Sequence, residues 1–333
     1  MKVLILKPSS LGDIIHAIPV LRLIKQQRSD WEVHWWIAKH FAPILEMDQD
    51  ISALHYFDRY AWGSIEGIRN GIDGVSRMRR EQFDIVIDLQ GLARSALHGW
   101  AARGGYTLGL DHRREGAAIL YDEAIERPTQ ETHAVDWCRE VLPKIGLKSD
   151  GSFEWLPERS WISKKLFAQG FESGYRWIAL CPGARWKSKQ WPLDSFMSLV
   201  QKMDSSNVRF VVIGGMEDRA MGEHLGREDR VLNLTGRTTI PEMIEWLRIC
   251  SVVITNDSGP MHIAAALDIP VVALFGPTDP KRTGPYRVRG KVLQSRQLNC
   301  VPCFQKHCDR SEERECLRLI TPEEVLDAVV ACE

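Results

Sequence analysis

Short apolar runs along the chain alternate with stretches in which apolar residues are spaced three or four positions apart. Runs such as residues 83–89 and 271–275 have the length of one buried strand, whereas residues 13–26 have the spacing of an amphipathic helix. A regular alternation of strand and helix is typical of parallel sheets covered by helices. The pattern therefore predicts an α/β protein made of doubly wound parallel sheets.

The same pattern assigns individual elements to both halves of the chain. The predicted strands are residues 2–7, 33–37, 83–89, 177–181, 208–213, 252–255 and 271–275. The predicted helices are residues 13–26, 135–145, 160–169, 192–203, 240–250, 261–267 and 321–332.

The alternation occurs in two blocks. Residues 146–158 between them are polar, contain glycine and show no periodicity, so they are predicted to be a linker. We therefore expect an N-terminal domain over residues 1–160 and a C-terminal domain over residues 161–333. Because doubly wound sheets bind ligands at the carboxyl ends of their strands, two such domains facing each other are expected to form a central cleft.

Charge and hydropathy exclude some classes of protein. The 333 residues include 43 basic and 44 acidic side chains, so bulk charge does not favour nucleic-acid binding. No apolar run approaches the roughly 18–20 residues of a membrane helix. The N-terminal residues have the pattern of a first strand rather than of a secretory signal, and we therefore expect a cytoplasmic location.

The eight cysteines fall into two groups. Cys138, Cys181, Cys250 and Cys332 are scattered, mostly in apolar surroundings, and are expected to be small buried hydrophobic residues. The other group has the spacing C-x2-C-x4-C-x7-C and consists of Cys300, Cys303, Cys308 and Cys316. These four thiols, with His307 beside them, could bind a zinc ion or an iron–sulfur cluster, or could be free thiols. We assign them no catalytic role.

The first candidate for chemistry is Asp13, which follows the strand at 2–7 and a turn containing serine and glycine. Its carboxylate is predicted to lie at the ligand-binding edge of the first sheet, or alternatively to cap the helix that begins there. The chain contains neither G-x-G-x-x-G nor G-x-x-x-x-G-K-[ST], which argues against a dinucleotide-dependent dehydrogenase and a P-loop NTPase.

A second candidate follows the strand at 177–181. Arg185, Lys187 and Lys189 place three cations within five residues. Such a loop suits a pyrophosphate, because arginine binds phosphate in a bidentate manner and lysine acts as a point charge. A solvated basic loop is the alternative.

Two further segments lie just after predicted strands. Residues 255–262 lead into a helix whose free N–H groups could bind a phosphate, unless they form an ordinary strand–helix turn. Glu217 or Asp218 could bind ribose hydroxyls, or could be acids at a helix start.

Together these segments resemble one family. KPSSLGDIIHAIPVL, FDIVIDLQGLARSAL, PGARWKSKQWP, NDSGPMHIAAAL and VVALFGPTDP, in this order, are similar to glycosyltransferase family 9, the lipopolysaccharide heptosyltransferases. The resemblance covers essentially the whole chain. It implies a GT-B fold of two Rossmann-like domains, with an N-terminal acceptor domain and a C-terminal donor domain. It also implies transfer of heptose from ADP-L-glycero-D-manno-heptose, with inversion, to the Kdo–lipid A inner core.

The sequence identifies the acceptor less precisely than it identifies the family. The N-terminal half, including HAVDWCRE at 133–140, resembles members that add the first heptose, whereas the cysteine-bearing tail is similar to members that add the second. A transferase that uses the second acceptor or another nucleotide sugar therefore stays an alternative. A non-catalytic sugar-nucleotide-binding module is a further alternative.

The resemblance also implies roles for individual residues. Asp13 falls on the catalytic base, and Lys189 on a lysine near the donor phosphates. Glu217 is expected at the ribose and Thr238 at the adenine. The other expected donor-binding residues are Ala184, Arg185, Asp257, Ser258, Gly259, Pro260, Met261 and His262. The expected acceptor-binding residues are Ser10, Gly12, Gln90, Arg114 and Arg139.

We expect no cofactor and no catalytic metal, because the cationic loop would neutralise the leaving pyrophosphate. Asp48 and Asp50 form a D-x-D pair, but in a polar stretch that is expected to be a solvated turn. The expected partners are the ADP-heptose donor, a Kdo–lipid A acceptor and the periphery of the inner membrane, without nucleic acid.

Overall fold

A computed structural model describes residues 1–57, 74–102, 104–203, 205–287 and 289–332. The chain forms two compact units, Met1–Pro157 and Glu158–Glu333. Each unit contains one six-stranded sheet in which the neighbouring strands run parallel. This architecture is the α/β class that the alternating sequence pattern predicts.

The first sheet has the strand order β3-β2-β1-β4-β5-β6. Its strands are β1 (Lys2–Leu6), β2 (Glu32–Ala38), β3 (Ala53–Phe57), β4 (Ile85–Asp88), β5 (Tyr106–Leu110) and β6 (Glu123–Ile125). The order changes direction between β1 and β4. In doubly wound sheets this switch point opens a crevice at the carboxyl ends of the two strands, where ligands bind.

Helices surround the first sheet. They are α1 (Leu11–Gln27), α2 (Ala93–Ala102), α3 (Ala134–Arg139) and α4 (Val141–Lys144), with a further helical stretch at 74–81. The single helix predicted over 135–145 is wrong, because the chain forms two short helices there. Pro143 has no N–H to donate to the carbonyl of Arg139, and this missing bond accounts for the break.

The D-x-D pair is not a solvated turn, and this expectation was wrong. Arg22 on α1 is 8% exposed and binds Asp48 (Nη2 to Oδ2, 2.6 Å) and Asp50 (Nη1 to Oδ2, 2.6 Å). It also donates to the carbonyl of Trp155 at 2.9 Å. A guanidinium on a buried helix needs such partners, because an unpaired buried charge is costly. The two aspartates therefore anchor α1.

The second sheet has the strand order β12-β11-β10-β7-β8-β9. Its strands are β7 (Arg176–Cys181), β8 (Val208–Val212), β9 (Val231–Asn233), β10 (Val252–Asn256), β11 (Val271–Phe275) and β12 (Gly290–Gln294). Its helices are α5 (Ser160–Ala168), α6 (Leu193–Lys202), α7 (Arg219–Leu225), α8 (Ile240–Ile249), α9 (Gly259–Ala266), α10 (Pro280–Thr283), α11 (Glu315–Arg318) and α12 (Pro322–Val330). The switch point of this sheet lies between β7 and β10.

The core of the second unit joins the sheet to the C-terminal helix. Trp191, Phe196 and Leu199 pack in one apolar cluster with Val325 and Val329 of α12. Trp191 is 2% exposed, and its indole N–H donates to the carbonyl of Ile320 at 2.9 Å. This bond lets a large amphipathic ring be buried without an unsatisfied donor.

Among the residues that the structure describes, none belongs to a helix both long enough and apolar enough to cross a membrane.

Candidate active site

Asp13 lies in the first turn of α1, three residues after the N-cap residue Ser10. Its Oδ2 accepts hydrogen bonds from the Ser10 backbone N–H at 2.9 Å and from the Ser10 hydroxyl at 2.7 Å. Asp13 therefore helps to cap α1, which is one of the two roles that the sequence predicts for it. Gly12 is buried in the same turn. These contacts fix one oxygen of the Asp13 carboxylate close to the end of β1.

Lys7 bridges the two strands at the switch point of the first sheet. It is 6% exposed, and its ammonium donates to the carbonyl of Leu89 at 2.6 Å. It follows β1 directly, and Leu89 follows β4. Sequence analysis misses this residue, although a lysine directly after a buried apolar run was a visible signal.

Asp88 at the end of β4 holds the neighbouring loop in place. Its fully buried carboxylate accepts from the backbone N–H groups of Gln90 (2.9 Å) and Gly91 (3.1 Å), and from the Tyr121 hydroxyl (2.7 Å). Burial raises the pKa of Asp88, and these hydrogen bonds oppose the rise. Gly91 has φ of 64°, and a Cβ there would lie 2.5 Å from the His112 ring. The loop therefore requires glycine at this position.

Gln90, which follows Asp88 in this loop, keeps one hydrogen-bonding atom of its side chain unused. Its Oε1 is buried and has no hydrogen-bond partner among the described residues. A buried acceptor without a partner is uncommon in proteins and needs an explanation.

The pKa of His112 is shifted by the charged groups at this edge of the sheet. The pKa of His112 is lowered to about 4, mainly because the surrounding protein desolvates the ring and next because of the nearby charge of Lys7. Asp13 acts in the opposite direction, and Arg114 in the same direction as Lys7. The histidine keeps an exposed edge, so water also screens these charges. Lys7, Asp13 and Arg114 thus share one electrostatic neighbourhood.

Arg139 has a different environment from Arg114. Its guanidinium is 11% exposed, donates to the carbonyl of Ser149 and lies 3.6 Å from Asp136. These contacts indicate an anchor between α3 and the segment after α4. They give no support to the acceptor-binding role expected for Arg139, whereas the exposed Arg114 is available for such a role.

In the second unit, Lys189 and Asp257 meet at the switch point between β7 and β10. The ammonium of Lys189 lies 2.6 Å from Oδ2 of Asp257, and the Thr278 hydroxyl donates to the same oxygen at 2.6 Å. Lys189 also lies over the Trp186 ring, 4.7 Å from its centroid. The Lys189 side chain is 17% exposed and that of Asp257 is 6% exposed, so the pair is only weakly screened by water.

Asn256 joins the two loops that carry this pair. It is fully buried, its side-chain N–H donates to the Pro182 carbonyl at 2.7 Å, and its Oδ1 accepts from the Trp191 backbone N–H at 3.0 Å. Gln190 closes the same loop by donating to the carbonyl of Ala184 at 2.9 Å. Sequence analysis does not single out Asn256, although a polar residue ending an apolar strand was a usable signal.

The loop after β10 leads into α9. Ser258 is the N-cap, Gly259 begins the helix, and Pro260 occupies its first turn. Met261 and His262 are buried in the same turn. The N–H groups of a first helical turn have no partners within the helix, and they carry the positive end of the helix dipole.

Glu217 and Asp218 have different environments. Glu217 is exposed and packs beside Gly215. Asp218 is 7% exposed and accepts from the Gly215 N–H at 2.9 Å, and burial raises its pKa. Glu217 is therefore free to contact a ligand from its surface position, whereas Asp218 shapes the loop. Arg185 is exposed, and Thr238 lies between β9 and α8.

Comparisons with known proteins identify the family of this chain. The family model "Glycosyltransferase family 9 (heptosyltransferase)" matches residues 75–313. The chain is 28% identical over 326 residues to lipopolysaccharide heptosyltransferase 1 of Pseudomonas aeruginosa, covering 92% of this chain and 87% of that protein. It is 26% identical over 326 residues to lipooligosaccharide heptosyltransferase 2 of Haemophilus influenzae, with 88% of each covered.

Solved structures show the same fold. A glycosyl transferase of family 9 from Veillonella parvula matches with a TM-score of 0.83 at 23% identity, over 99% of this chain and 96% of that one. An Escherichia coli heptosyltransferase with ADP-2-deoxy-2-fluoro heptose matches with a TM-score of 0.77 at 22% identity, over 98% of each chain.

Two doubly wound parallel sheets, in a chain that the family model matches over residues 75–313, identify a glycosyltransferase of the GT-B fold. More particularly, the chain belongs to glycosyltransferase family 9, the heptosyltransferase family. The resemblance and the fold expected from the sequence are thus confirmed.

Proposed function

We propose that this chain transfers heptose from ADP-L-glycero-D-manno-heptose to the Kdo–lipid A inner core of lipopolysaccharide. The family and its lipopolysaccharide heptosyltransferase relatives support this substrate class. The observation that carries the proposal is the close Lys189–Asp257 pair at the β7/β10 switch point. A cation held there suits the diphosphate of a nucleotide sugar, because parallel sheets bind ligands at this position.

The donor site is proposed to lie wholly on the second unit. Lys189 and the exposed Arg185 would meet the diphosphate, with the first turn of α9 (Gly259, Pro260, Met261 and His262) and its N-cap Ser258 beside it. Glu217 would accept hydrogen bonds from the ribose hydroxyls, and Thr238 would line the adenine. Asp257 would hold Lys189 in position.

The acceptor site is proposed to lie on the first unit. Asp13 would take the proton of the attacking hydroxyl, which is general base catalysis. Gln90 Oε1 would accept from another acceptor hydroxyl, and Ser10 and Gly12 would shape the turn around it. Arg114 would face the anionic groups of the acceptor, and Lys7 supplies a further positive charge at the same edge.

Inversion follows from a single displacement. The acceptor oxygen bonds to the anomeric carbon while the bond to the ADP oxygen breaks, and charge builds on the leaving diphosphate. The sugar passes through an oxocarbenium-like state, as in glycoside hydrolysis. Only one carboxylate is needed, because no covalent sugar–enzyme intermediate forms. Lys189 and Arg185 would stabilise the diphosphate, so the reaction is proposed to need no metal ion.

The experiment that tests the proposal is ADP release from ADP-heptose with the purified full chain. It is run with Kdo–lipid A, with its mono-heptosylated form, and without an acceptor. ADP release that needs Kdo–lipid A supports the proposal. Release only with the mono-heptosylated form identifies a second-heptose transferase. ADP-heptose binding without turnover on either acceptor contradicts the proposal and favours a non-catalytic binding module.

The acceptor also sets the proposed location. Because Kdo–lipid A is a lipid anchored in the inner membrane, the chain is proposed to work in the cytoplasm and to contact this membrane at its periphery. Sedimentation with Kdo–lipid A vesicles, compared with neutral phospholipid vesicles, tests that contact.

A further inference from the structure

The structure brings the clustered cysteines together in one cavity. The cysteine cluster is defined here as Cys300, Cys303, Cys308 and Cys316. All four thiols line one cavity of about 120 Å³, together with His307, Arg310 and Arg314. No disulfide joins them. Cys303 and Cys316 are 13 positions apart, so this convergence results from folding and not only from closeness in sequence.

Cys316 lies on the side of the cavity next to the sheet. Its side chain lies against the end of β11, since a Cβ built on Gly276 would be 3.1 Å from its sulfur. The other three cysteines reach the cavity from residues 300–308, so thiols from two parts of the chain meet there.

Two guanidinium groups lie in the cavity wall. Arg310 donates to Glu315 at 2.6 Å and also lies within hydrogen-bonding range of Cys300. Arg314 donates from NH1 to the carbonyl of Gln190 at 3.0 Å, but its Nε is buried and has no partner among the described residues. Four thiolates around a divalent ion carry a net charge of −2. Arg314, in the wall of the same cavity, has an unused donor that could hydrogen-bond to such thiolates.

We propose that the cysteine cluster binds one thiophilic divalent metal ion, zinc or ferrous iron, through its four sulfur atoms. In the described part of the chain, no three His, Cys, Asp or Glu side chains are already arranged to hold a metal ion. The sulfur atoms therefore have to move inward when the ion binds. A change of χ1 rotamer displaces a cysteine sulfur by roughly 3 Å, which is comparable to the radius of the cavity.

The metal site is proposed to be structural and distinct from the heptose-transfer site. Hydrogen bonds of its neighbours connect it to both donor loops. Ser188, one residue before Lys189, donates to the Gln305 carbonyl at 2.8 Å. The Phe304 N–H donates to the Pro277 carbonyl at 2.7 Å, one residue before Thr278, which binds Asp257. Ordering of residues 300–316 by a metal ion would therefore stiffen the loops that carry Lys189 and Asp257.

The test uses the reduced, metal-stripped full chain and a titration with Co²⁺ alone. We expect one Co²⁺ per chain with the strong visible absorption of tetrahedral thiolate coordination, and displacement of Co²⁺ by Zn²⁺. Cys303→Ser and Cys308→Ser are each expected to weaken Co²⁺ binding at least about a hundredfold. Cys332→Ser, at a cysteine outside the cluster, is the matched control and is expected to bind as the original chain does.

Three outcomes would overturn the proposal. They are less than half an equivalent of bound Co²⁺, binding that Cys303→Ser and Cys332→Ser weaken equally, and a coloured protein containing iron with acid-labile sulfide, which would replace the single ion by a cluster. Metal content of the chain as purified distinguishes zinc from iron. None of these measurements depends on heptose transfer, so failure of the proposed function would leave the metal site testable.

Discussion

Lys189 and Asp257 are 68 positions apart in sequence, and their side chains form an ion pair of 2.6 Å at the switch point of the second sheet. The pair combines a cation that attracts a diphosphate with a carboxylate that repels it. Asp257 also accepts from Thr278, so it has a second partner when Lys189 turns toward a ligand. Lys189 can then bind a phosphate without leaving a buried carboxylate unpaired.

Replacing Lys189 tests this arrangement. Lys189→Ala is expected to lower kcat by about 30- to 1000-fold and to weaken donor binding, with little change in acceptor affinity. The reason is that the charge of the diphosphate grows as the sugar–oxygen bond breaks. Lys187→Ala is the matched control, because Lys187 is in the same loop but is 67% exposed and pairs with Glu313. Steady-state kinetics with donor and acceptor varied separately give the result, and a wild-type kcat for Lys189→Ala would exclude the donor-phosphate role.

Asp13→Asn separates catalysis from helix capping. The variant is expected to lower turnover by at least about a hundredfold while ADP binding is kept. An amide oxygen can still accept from the Ser10 N–H, so the loss of stability is expected to be about 1 kcal/mol or less. Glu324→Gln is the control, because Glu324 closes the same kind of capping box at Thr321. Similar modest losses of activity in both variants would return Asp13 to a purely structural role.

Charge reversal at Arg114 tests the acceptor side. Arg114→Glu is expected to raise KM for the acceptor at least about tenfold and to change KM for ADP-heptose much less, because a close charge pair contributes more than about 1.4 kcal/mol. Arg28→Glu is the control, because Arg28 lies at the C-terminal end of α1, away from the turn that carries Asp13. Initial rates over a grid of both substrates measure the two constants. A donor effect as large as the acceptor effect would contradict the placement of Arg114.

Chelation tests the proposed absence of a catalytic metal. The initial rate is expected to be unchanged when EDTA is added to the assay, and addition of Mg²⁺ or Mn²⁺ is expected to give no stimulation. Immediate loss of activity that Mg²⁺ restores would refute this prediction. A slow loss of thermal stability that Zn²⁺ restores would have another source, the cysteine cluster.

Stability is expected to fall in mild acid because of a histidine pair. The ring nitrogens of His34 and His55 are 3.0 Å apart, and the pKa of His55 is lowered from its usual 6.5 to about 4, mainly by burial and next by His34. Between these values the unfolded chain takes up a proton that the folded chain does not. The free energy of unfolding should therefore drop by about 1–2 kcal/mol from pH 7 to pH 5. Glu81 opposes this effect, and Arg77 reinforces it.

His55→Gln checks the source of that pH dependence. Glutamine can still hydrogen-bond to His34 but cannot take up a proton in this range. Urea unfolding at pH 7 and pH 5 is expected to show a smaller difference for the variant than for the original chain. An equal difference would assign the acid sensitivity to other groups.

Most interior strands were predictable, whereas the edge strands and the interior strand β5 were not. Strand β5 is buried, but its sequence YTLGL contains Thr107 and Gly109 and so forms no continuous apolar run. Strands β7, β10 and β11 are buried along most of their length, so each forms an apolar run that predicts its bounds within one or two residues. Strands β3 and β12, at the sheet edges, are largely half-exposed or exposed and give no such run. Sequence analysis therefore misses them. The shorter strands β6 and β9 are also missed, because they too form no clear apolar run.

The candidate site was predictable as positions but not as contacts. Asp13, Lys189 and Asp257 each follow a predicted strand, which was enough to place them at ligand-binding edges. The Lys189–Asp257 pair depends on β7 and β10 being neighbours, and the strand order across the intervening β8 and β9 is not encoded in any local pattern. The Arg22–Asp48 pair likewise depends on how α1 packs.

The carboxylate of Asp218 constrains two glycines at once. A Cβ on Gly183 would lie 2.3 Å from its Cγ, and a Cβ on Gly214 would lie 2.7 Å from its Oδ2. Gly183→Ala and Gly214→Ala would thus displace the same group, and the second substitution would find it already moved. The free-energy costs of the two changes should be strongly non-additive, with the double variant less destabilised than the sum of the singles. These two positions, 31 residues apart, can then vary together more readily than either can alone.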